Sequence, residues 1–209
     1  MIIQASPAPR NEQTVPVVMF GYGSTKGQLL VASPPLGDPN FDRTVVFMLE
    51  HTGDGAVGLV VNRPEAVTTL IGMDAWTERM SPPATVFAGG PVETDALIAV
   101  AVVDAPNDEG WSPIHPPSPT LPAVGTVDLG MEPEDVAGSV DRLRIFRGYS
   151  GWGPSQLESE LAVGAWMVLG ADLDDLFSEQ PDELWRDVLR RQGGRLAWIA
   201  EAPDDLSAN

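Results

Sequence analysis

The distribution of strand-like segments constrains the fold of this chain more than any other feature. Short runs of β-branched and apolar residues, bounded by turn residues, occupy Gln28–Ser33, Thr44–Glu50 and Ala56–Asn62. The run Gly53–Gly55 separates the second segment from the third, and a glycine-aspartate-glycine turn of this kind predicts a β-hairpin. The chain therefore begins its ordered part with a small antiparallel unit.

The later segments add helices without a regular alternation of strand and helix. Ala96–Val103 is apolar throughout, which predicts a strand buried on both faces. Pro181–Gln192 has proline at its start, acids in its first turn and arginines in its last, which is typical of a helix. Because long helices do not follow each strand, a doubly wound parallel sheet is disfavoured. We expect an α+β fold with a mixed sheet.

Other elements are predicted from shorter patterns. The predicted strands are Thr85–Ala88, Gly125–Leu129, Leu143–Arg147, Ala165–Gly170 and a closing strand, Arg195–Ala200. The predicted short helices start at Thr68 or Thr69 and end at Trp76, cover Pro133–Ser139, and run from Pro154 to Val163. Five prolines make Asn107–Pro122 a predicted surface loop, or a lid.

The length and the two ends indicate one domain. A chain of 209 residues can bury a sizeable core without metals or disulfides, and it has no cysteine. We expect a mobile tail over residues 1–16, a domain over 17–200 and an acidic tail over 201–209. The first residues lack a basic segment followed by an apolar run, so no signal peptide is expected and a cytoplasmic location is the default.

The charge balance restricts the partners. Twelve basic residues stand against 30 acidic ones, which gives a formal net charge of −18. Nucleic acids and anionic membranes are bound by clustered cations, and the arginines here form no extended basic stripe. We therefore expect no direct binding to nucleic acid and no membrane binding, and the partner is an unidentified protein or small molecule.

Polar residues near the first strands form a candidate cleft. Asp38 and Asn40 lie in the turn after the first strand, where such side chains can hydrogen-bond to their own backbone. A structural role in the turn is therefore the alternative to a role in a cleft. His51 and Glu50 end a predicted strand, and a lone histidine there serves either as a rim residue or as a base. The candidate cleft residues are Ser33, Asp38, Asn40, Arg43, Glu50, His51, Asn62 and Arg63.

A second candidate surface follows the strand Leu143–Arg147. The glycine-rich segment Gly148–Gly153 is predicted to be a loop that leads into a helix. It is interpreted as a tight structural turn, an anion-binding loop, or a partner surface walled by its aromatic residues. The candidate residues are Arg147, Tyr149, Ser150, Trp152, Gln156 and Glu158.

Three motifs, in this order, resemble the YqgE/AlgH family. They are Gly27–Pro34 with its continuation to Val46, Glu50-His51 and Gly55–Pro64 followed by Gly89–Val92, and Phe146–Pro154 and Gln156–Glu160 followed by Trp166. The resemblance implies an α+β domain with a bifurcated, partly barrel-like sheet surrounded by helices. Members are often labelled transcriptional regulators. The sequence departs from the usual family pattern at Ser155, where glycine is common, and after Val92, where a common histidine is missing.

The residues leave three functions open. The first is a non-enzymatic binding or regulatory module, since no Gly-x-Ser-x-Gly elbow or catalytic motif is present. The second is an enzyme with an acid-lined cleft formed by Asp38, Glu50, His51 and Glu158, including metal-assisted hydrolysis. The third, direct nucleic-acid binding, rests on the family label alone. The spacing of residues requires no metal and no cofactor.

Overall fold

The computed structural model describes residues 23–34, 41–106, 109–115 and 124–201. The predicted N-terminal tail, Asp38, Asn40 and the acidic tail beyond Glu201 lie outside the described residues. So does most of the predicted loop Asn107–Pro122, although one strand falls within it.

Nine strands occur in the described part of the chain. They are β1 (Gln28–Ala32), β2 (Val45–Thr52), β3 (Gly55–Val60), β4 (Phe87–Ala88), β5 (Val92–Pro106), β6 (Trp111–His115), β7 (Val124–Val127), β8 (Ala137–Trp152) and β9 (Trp166–Gly170). The predicted hairpin of β2 and β3 is confirmed, with Thr52 opposite Gly55. β6 was not predicted, because Pro113 interrupts it; an edge strand tolerates proline.

Six α-helices are also present among the described residues. They are α1 (Asp74–Thr77), α2 (Pro133–Val136), α3 (Gln156–Ala162), α4 (Leu173–Leu176), α5 (Leu184–Gln192) and α6 (Gly194–Ala200). A 3₁₀ turn, Pro181–Glu183, leads into α5, so the predicted helix Pro181–Gln192 is confirmed. The helices predicted around residue 70 and over Pro133–Ser139 are shorter than expected.

The closing strand predicted over Arg195–Ala200 is wrong, because this segment is helix α6. A short apolar run does not distinguish strand from helix by periodicity alone. Leu196 and Ile199, three residues apart, lie on one face of α6 and pack against the core, while Trp198 is exposed. Helical spacing buries the two aliphatic side chains together.

The sheet has the order β6-β7-β5-β8-β3-β2-β1-β9, with β4 paired to β8 beside this path. The β4–β8 pair is parallel and the other pairs are antiparallel. On the side of β8 that faces away from β5, Phe146 and Arg147 pair with β4, whereas Ser150 to Trp152 pair with β3. The sheet thus forks at β8 and is not closed, which confirms the predicted mixed, bifurcated α+β fold.

The predicted loop Gly148–Gly153 is largely wrong, since β8 continues through Trp152. Gly148 has φ +67°, which lets the strand change direction between its two partners. A Cβ atom at this position would lie 2.6 Å from the carbonyl oxygen of Gly90. A glycine-rich sequence here marks a bend and a close backbone approach inside a strand, not a turn.

Both faces of the sheet are covered. Alternate residues of β1 enter different clusters: Leu29 and Val31 pack with Trp185 and Val188 of α5, whereas Leu30 packs with the indoles of the opposite face. β5 divides its residues in the same way, so the prediction of a strand buried on both faces is confirmed. This packing fixes the positions of the loops at the end of β8 and around α4.

Candidate functional site

The three motif segments meet in space where the structure describes them. The Phe41 ring lies 6.5 Å from that of Trp152, measured between centroids. Asn62 Nδ2 donates to the Arg43 carbonyl at 2.9 Å, and Asn62 Oδ1 accepts from the Val45 amide at 2.9 Å. Residues 41–45, 62 and 152 are therefore neighbours, although they are far apart in the chain.

The predicted polar cleft divides into separate groups. Asn62 lies beside Val45 at the start of β2, whereas His51 lies six residues further along that strand. A strand rises about 3.3 Å per residue, so Val45, with Asn62 beside it, is about 20 Å from His51. Asn62 and His51 therefore cannot line one small cleft. Ser33 belongs to neither group, since its hydroxyl donates to the carbonyls of Gly164 and Ala165.

Arg43 and Arg63 hold the first group to the rest of the fold. Arg63 Nη2 donates to the Asp42 carbonyl at 3.2 Å. The Arg43 guanidinium carbon lies 5.5 Å from the centroid of the Trp185 ring, a cation–π arrangement. The contacts of Arg43, Asn62 and Arg63 therefore hold the turn before β2 in place against the sheet and α5.

His51 is the centre of the second group. Its Nδ1 accepts a hydrogen bond from the Thr25 backbone N–H at 3.1 Å, so in this arrangement Nδ1 carries no proton. The proton is then on Nε2, which lies 3.1 Å from Glu158 Oε1 and donates to it. The Thr25 hydroxyl is 3.0 Å from Nδ1. A hydroxyl, an imidazole and a carboxylate therefore form a continuous hydrogen-bonded chain.

Two carboxylates at this position are biased towards ionisation. The Glu158 pKa is lowered from its ordinary value, first by a hydrogen bond from its own backbone N–H and then by the bond from His51. The pKa of Glu50 is lowered chiefly by its hydrogen bond from Lys26, at 2.6 Å. In the second group a hydrogen bond joins His51 to Glu158, while the carboxylate of Glu50, the residue before His51, pairs with Lys26.

The aromatic residues of the other candidate surface are buried. Trp152 is 6 % exposed and Ser150 is fully buried, so neither presents a surface to a partner in this structure. Trp152 Nε1 donates to Glu160 Oε2 at 2.8 Å, and Trp166 Nε1 donates to the same oxygen at 2.7 Å. Glu160, which the sequence analysis missed, is the carboxylate that holds both indoles. Its position on the inner face of α3 was the available signal.

The remaining members of that predicted surface make local contacts. Gln156 Nε2 donates to Glu160 Oε1 at 3.0 Å. Arg147 Nε lies 3.3 Å from Glu65 Oε2, a charge contact without hydrogen-bond geometry. The Tyr149 hydroxyl donates to Glu93 at 3.4 Å. These contacts link β8 to its neighbours.

A surface cleft of about 620 Å³ lies elsewhere and was not predicted. Four carboxylates and one guanidinium line it, from Asp141, Asp174, Glu179, Asp187 and Arg142, together with Ser81, Pro82, Phe177, Ser178 and Gln180. Arg142 pairs with Asp174 at 3.0 Å, and Asp187 pairs with Arg190 at 3.2 Å. The lining residues come from four stretches of the chain, which explains why no local motif reveals the cleft.

Arg144 lies behind the wall of this cleft and is 1 % exposed. Its Nη2 donates to the carbonyls of Pro82 at 2.8 Å and Ser178 at 3.1 Å, both of which belong to cleft residues. Its guanidinium carbon lies 4.2 Å from the centroid of the Phe87 ring. Burial lowers the pKa of Arg144 to about 10, so the side chain stays charged at neutral pH.

Neither a cluster of metal-ligating side chains nor a membrane-spanning helix occurs in the described residues. Among residues 23–34, 41–106, 109–115 and 124–201 there is no group of three or more histidine, aspartate or glutamate side chains placed to hold a metal ion. No helix in the described part of the chain has the length and apolar character needed to cross a bilayer.

The fold and these sites define a single-domain α+β protein with a forked nine-stranded sheet and a surface cleft beside a buried arginine. The model of the AlgH-like family matches residues 29–197, and the chain belongs to that family. This confirms the resemblance found in the sequence motifs.

Several relatives are similar along nearly their whole length. A UPF0301 protein of Streptomyces coelicolor is 47% identical over 196 residues, which cover 91% of this chain and 98% of the relative. A crystal structure of a Corynebacterium diphtheriae protein has a TM-score of 0.75 at 26% identity and covers 85% of this chain and 92% of its own. The solution structure of AlgH from Pseudomonas aeruginosa has a TM-score of 0.61 at 26% identity, with coverage of 98% and 100%.

Proposed function

We propose that this protein is a non-enzymatic binding module whose ligand site is the acidic cleft, and that the ligand is a cationic segment of a partner protein. The observation that carries the proposal is the charge of the cleft lining. Four carboxylates stand against one guanidinium, which gives a formal charge of −3 on a concave surface of about 620 Å³. This volume falls within the usual range for ligand sites.

The position of the carboxylates supports a cationic ligand. Asp141, Asp174, Glu179 and Asp187 are all exposed, so a partner in solution can reach them without opening the fold. Each exposed ion pair contributes little by itself, but several like charges in a concavity sum to a substantial potential. The net charge of −18 of the whole chain adds long-range attraction for basic partners.

A regulatory role that acts through a protein partner is compatible with this charge. Family members are often labelled transcriptional regulators, but phosphate neutralisation requires clustered cations, and the basic residues of the sequence form no extended basic stripe. We therefore propose regulation without direct DNA contact, in the cytoplasm. A salt titration with duplex DNA tests the first part: tight binding with a steep salt dependence would contradict it.

A labelled hexalysine peptide tests the cleft. The variant Asp141→Asn/Glu179→Gln removes two charges from the lining, and Asp54→Asn/Asp95→Asn removes two exposed charges outside it. We expect the cleft variant to weaken binding several-fold more than the control, as measured by fluorescence anisotropy at physiological salt. Equal weakening by both would show that only net charge attracts the peptide, and the proposed site would be wrong.

One observation favours an enzyme as the second candidate. The chain Thr25–His51–Glu158 has the order of a hydroxyl, a general base and an orienting carboxylate. Thr25 is 4 % exposed, so a substrate could reach its hydroxyl only after a local rearrangement. Assays for hydrolysis of nitrophenyl esters and phosphates, with and without Mg²⁺ or Mn²⁺, test this candidate. The enzyme hypothesis holds only if the parent protein is active and the His51→Gln variant is inactive.

A further inference from the structure

The nitrogens of Arg144 are incompletely paired. Nη2 has two carbonyl acceptors, but Nε and Nη1 are both buried and have no hydrogen-bond partner among the described residues. The rings of Phe87 and Phe177 lie 4.2 and 5.9 Å from the guanidinium carbon and stabilise its charge through their faces. Ring contacts leave the in-plane N–H groups of the guanidinium without an acceptor.

An unpaired buried charge of this kind is costly to a fold. A structural arginine in a core is normally accompanied by a carboxylate, since desolvation of the cation must be offset. The pKa of Arg144, lowered by burial to about 10, leaves it protonated at pH 7, so the cost is not avoided by neutralisation. The N–H groups of these two nitrogens are therefore available to an anion that is not part of the chain.

The surroundings of Arg144 define what else the anion must carry. The space beside the guanidinium is lined by apolar and aromatic side chains, namely Phe47, Leu59, Val61, Val100, Phe146, Leu176 and Phe177. In this structure it has no room for a water molecule. A strongly hydrated dianion such as phosphate would find only the free N–H groups of one guanidinium here and no other polar group. A monoanion with an apolar body matches the lining.

Phe177 is placed to control access to this space. It lines both the space beside Arg144 and the surface cleft, and it is 4 % exposed. The residue that follows it supplies the Ser178 carbonyl to Arg144. Rotation of the Phe177 ring into the cleft would connect the two and make room beside the guanidinium without moving a strand.

We infer that Arg144 anchors a binding site for a small carboxylate with an apolar body, which replaces the Phe177 ring beside the guanidinium. The carboxylate accepts hydrogen bonds from Arg144, and its aliphatic or aromatic part contacts the side chains that Phe177 now covers. This site goes beyond the acidic cleft proposed above, because it has another ligand and lies behind the cleft wall. Its failure leaves the hexalysine result unaffected.

Titration of the full chain with butyrate, hexanoate and octanoate tests the inference, with hexanol as the uncharged control. Calorimetry gives the affinity, and the Nε–H signals of arginine in ¹⁵N NMR spectra show which guanidinium is contacted. We expect hexanoate to bind more tightly than hexanol and to shift the Arg144 signal. Equal affinity for hexanoate and hexanol, or an unchanged Arg144 signal, would overturn the site.

Three variants are used, so that the test does not depend on whether Arg144→Met folds. Arg144→Met should reduce hexanoate affinity at least about tenfold, since charge-assisted hydrogen bonds are lost, whereas Arg147→Met in the same strand should not. Phe177→Ala, which keeps Arg144, should bind hexanoate more tightly than the parent because the space is already open. If Arg144→Met does not fold, Phe177→Ala decides: unchanged or absent binding in that variant contradicts the inference.

Discussion

His51 Nε2 donates a hydrogen bond to Glu158 Oε1 at 3.1 Å, across 107 positions of sequence. The bond joins the end of β2 to helix α3, and the Thr25 amide fixes the imidazole from its other side. The His51 side chain is 9 % exposed, and that of Glu158 is 30 % exposed. The contact is therefore sheltered at His51 and partly open to solvent at Glu158.

The lowered pKa of Glu158 makes a prediction about pH. The pKa of this carboxyl is lower in the folded state than in the unfolded state, where it is about 4.5. Its ionised form therefore stabilises the fold fully at pH values above about 4.5, and this stabilisation is lost as the pH falls through the pKa of the folded state. Glu158→Gln should therefore be less stable than the parent at pH 7, and the difference should shrink below about pH 4.5. Urea unfolding at several pH values measures it, with exposed Glu78→Gln as the control. Parallel pH profiles for the parent and both variants would contradict the prediction.

The second prediction concerns Trp152, which lies in the core and should therefore be important for stability. Truncation to alanine should lower the free energy of unfolding by about 3–5 kcal/mol. The indole is lost from its cluster with Phe41 and Trp166, and one hydrogen bond to Glu160 is lost as well. Trp198→Ala is the matched control, since Trp198 is 83 % exposed. It should change stability by less than about 0.5 kcal/mol.

Chemical denaturation of both tryptophan variants decides between a core and a surface role. A Trp152→Ala variant as stable as the parent would restore the interpretation of this residue as part of a partner surface.

Local signals account for the parts of the fold that the sequence predicts well. The turn Gly53–Gly55 specifies its hairpin through backbone geometry, and Pro181 with the acids after it specifies the start of the longest helix. The β8 strand was shortened in the prediction because Gly148 and Gly151 resemble a turn. Their actual role depends on β3, β4 and Gly90, which are distant in sequence.

The candidate sites also differ in how far local sequence signals reveal them. His51 and Glu158 were identified by residue type, and the fold brings them together. The acidic cleft and Arg144 were missed, because Pro82, Arg144 and Phe177 are neighbours only after β8, α4 and the segment between α1 and β4 have packed. An arginine alternating with apolar residues on a strand gives no indication in sequence of whether its partner is a carboxylate, a ring or a ligand.

Gly148 and Gly151 give a prediction in which two similar substitutions differ. Alanine at 148 would adopt φ +67° and place its Cβ 2.6 Å from a backbone oxygen, so Gly148→Ala should cost well over about 1 kcal/mol. At 151 the nearest atom to an added Cβ is 3.5 Å away, in the Tyr149 ring. Gly151→Ala should be nearly neutral. Thermal unfolding of both variants is the measurement, and equal losses of stability would show that the bend in β8 does not depend on Gly148.

Ser155 makes the last prediction, and it concerns a gain of stability. This residue precedes helix α3 with φ 61° and ψ 4°, a left-handed conformation that costs a residue with a Cβ roughly 1–2 kcal/mol. Its carbonyl accepts a bond from the Ser159 hydroxyl, but its own side chain makes no capping bond to the helix. Ser155→Gly should therefore raise the free energy of unfolding by about 1 kcal/mol, since glycine adopts this conformation without strain.

Ser159 is the matched control for that substitution. It lies inside α3, where glycine costs about 0.5–1 kcal/mol relative to alanine, and its hydroxyl bond to Ser155 would be lost. The same chemical change is thus expected to stabilise the protein at position 155 and to destabilise it at position 159. Denaturation curves of the two variants test the opposite signs. A loss of stability at both positions would mean that the Ser155 side chain contributes more than its backbone strain costs.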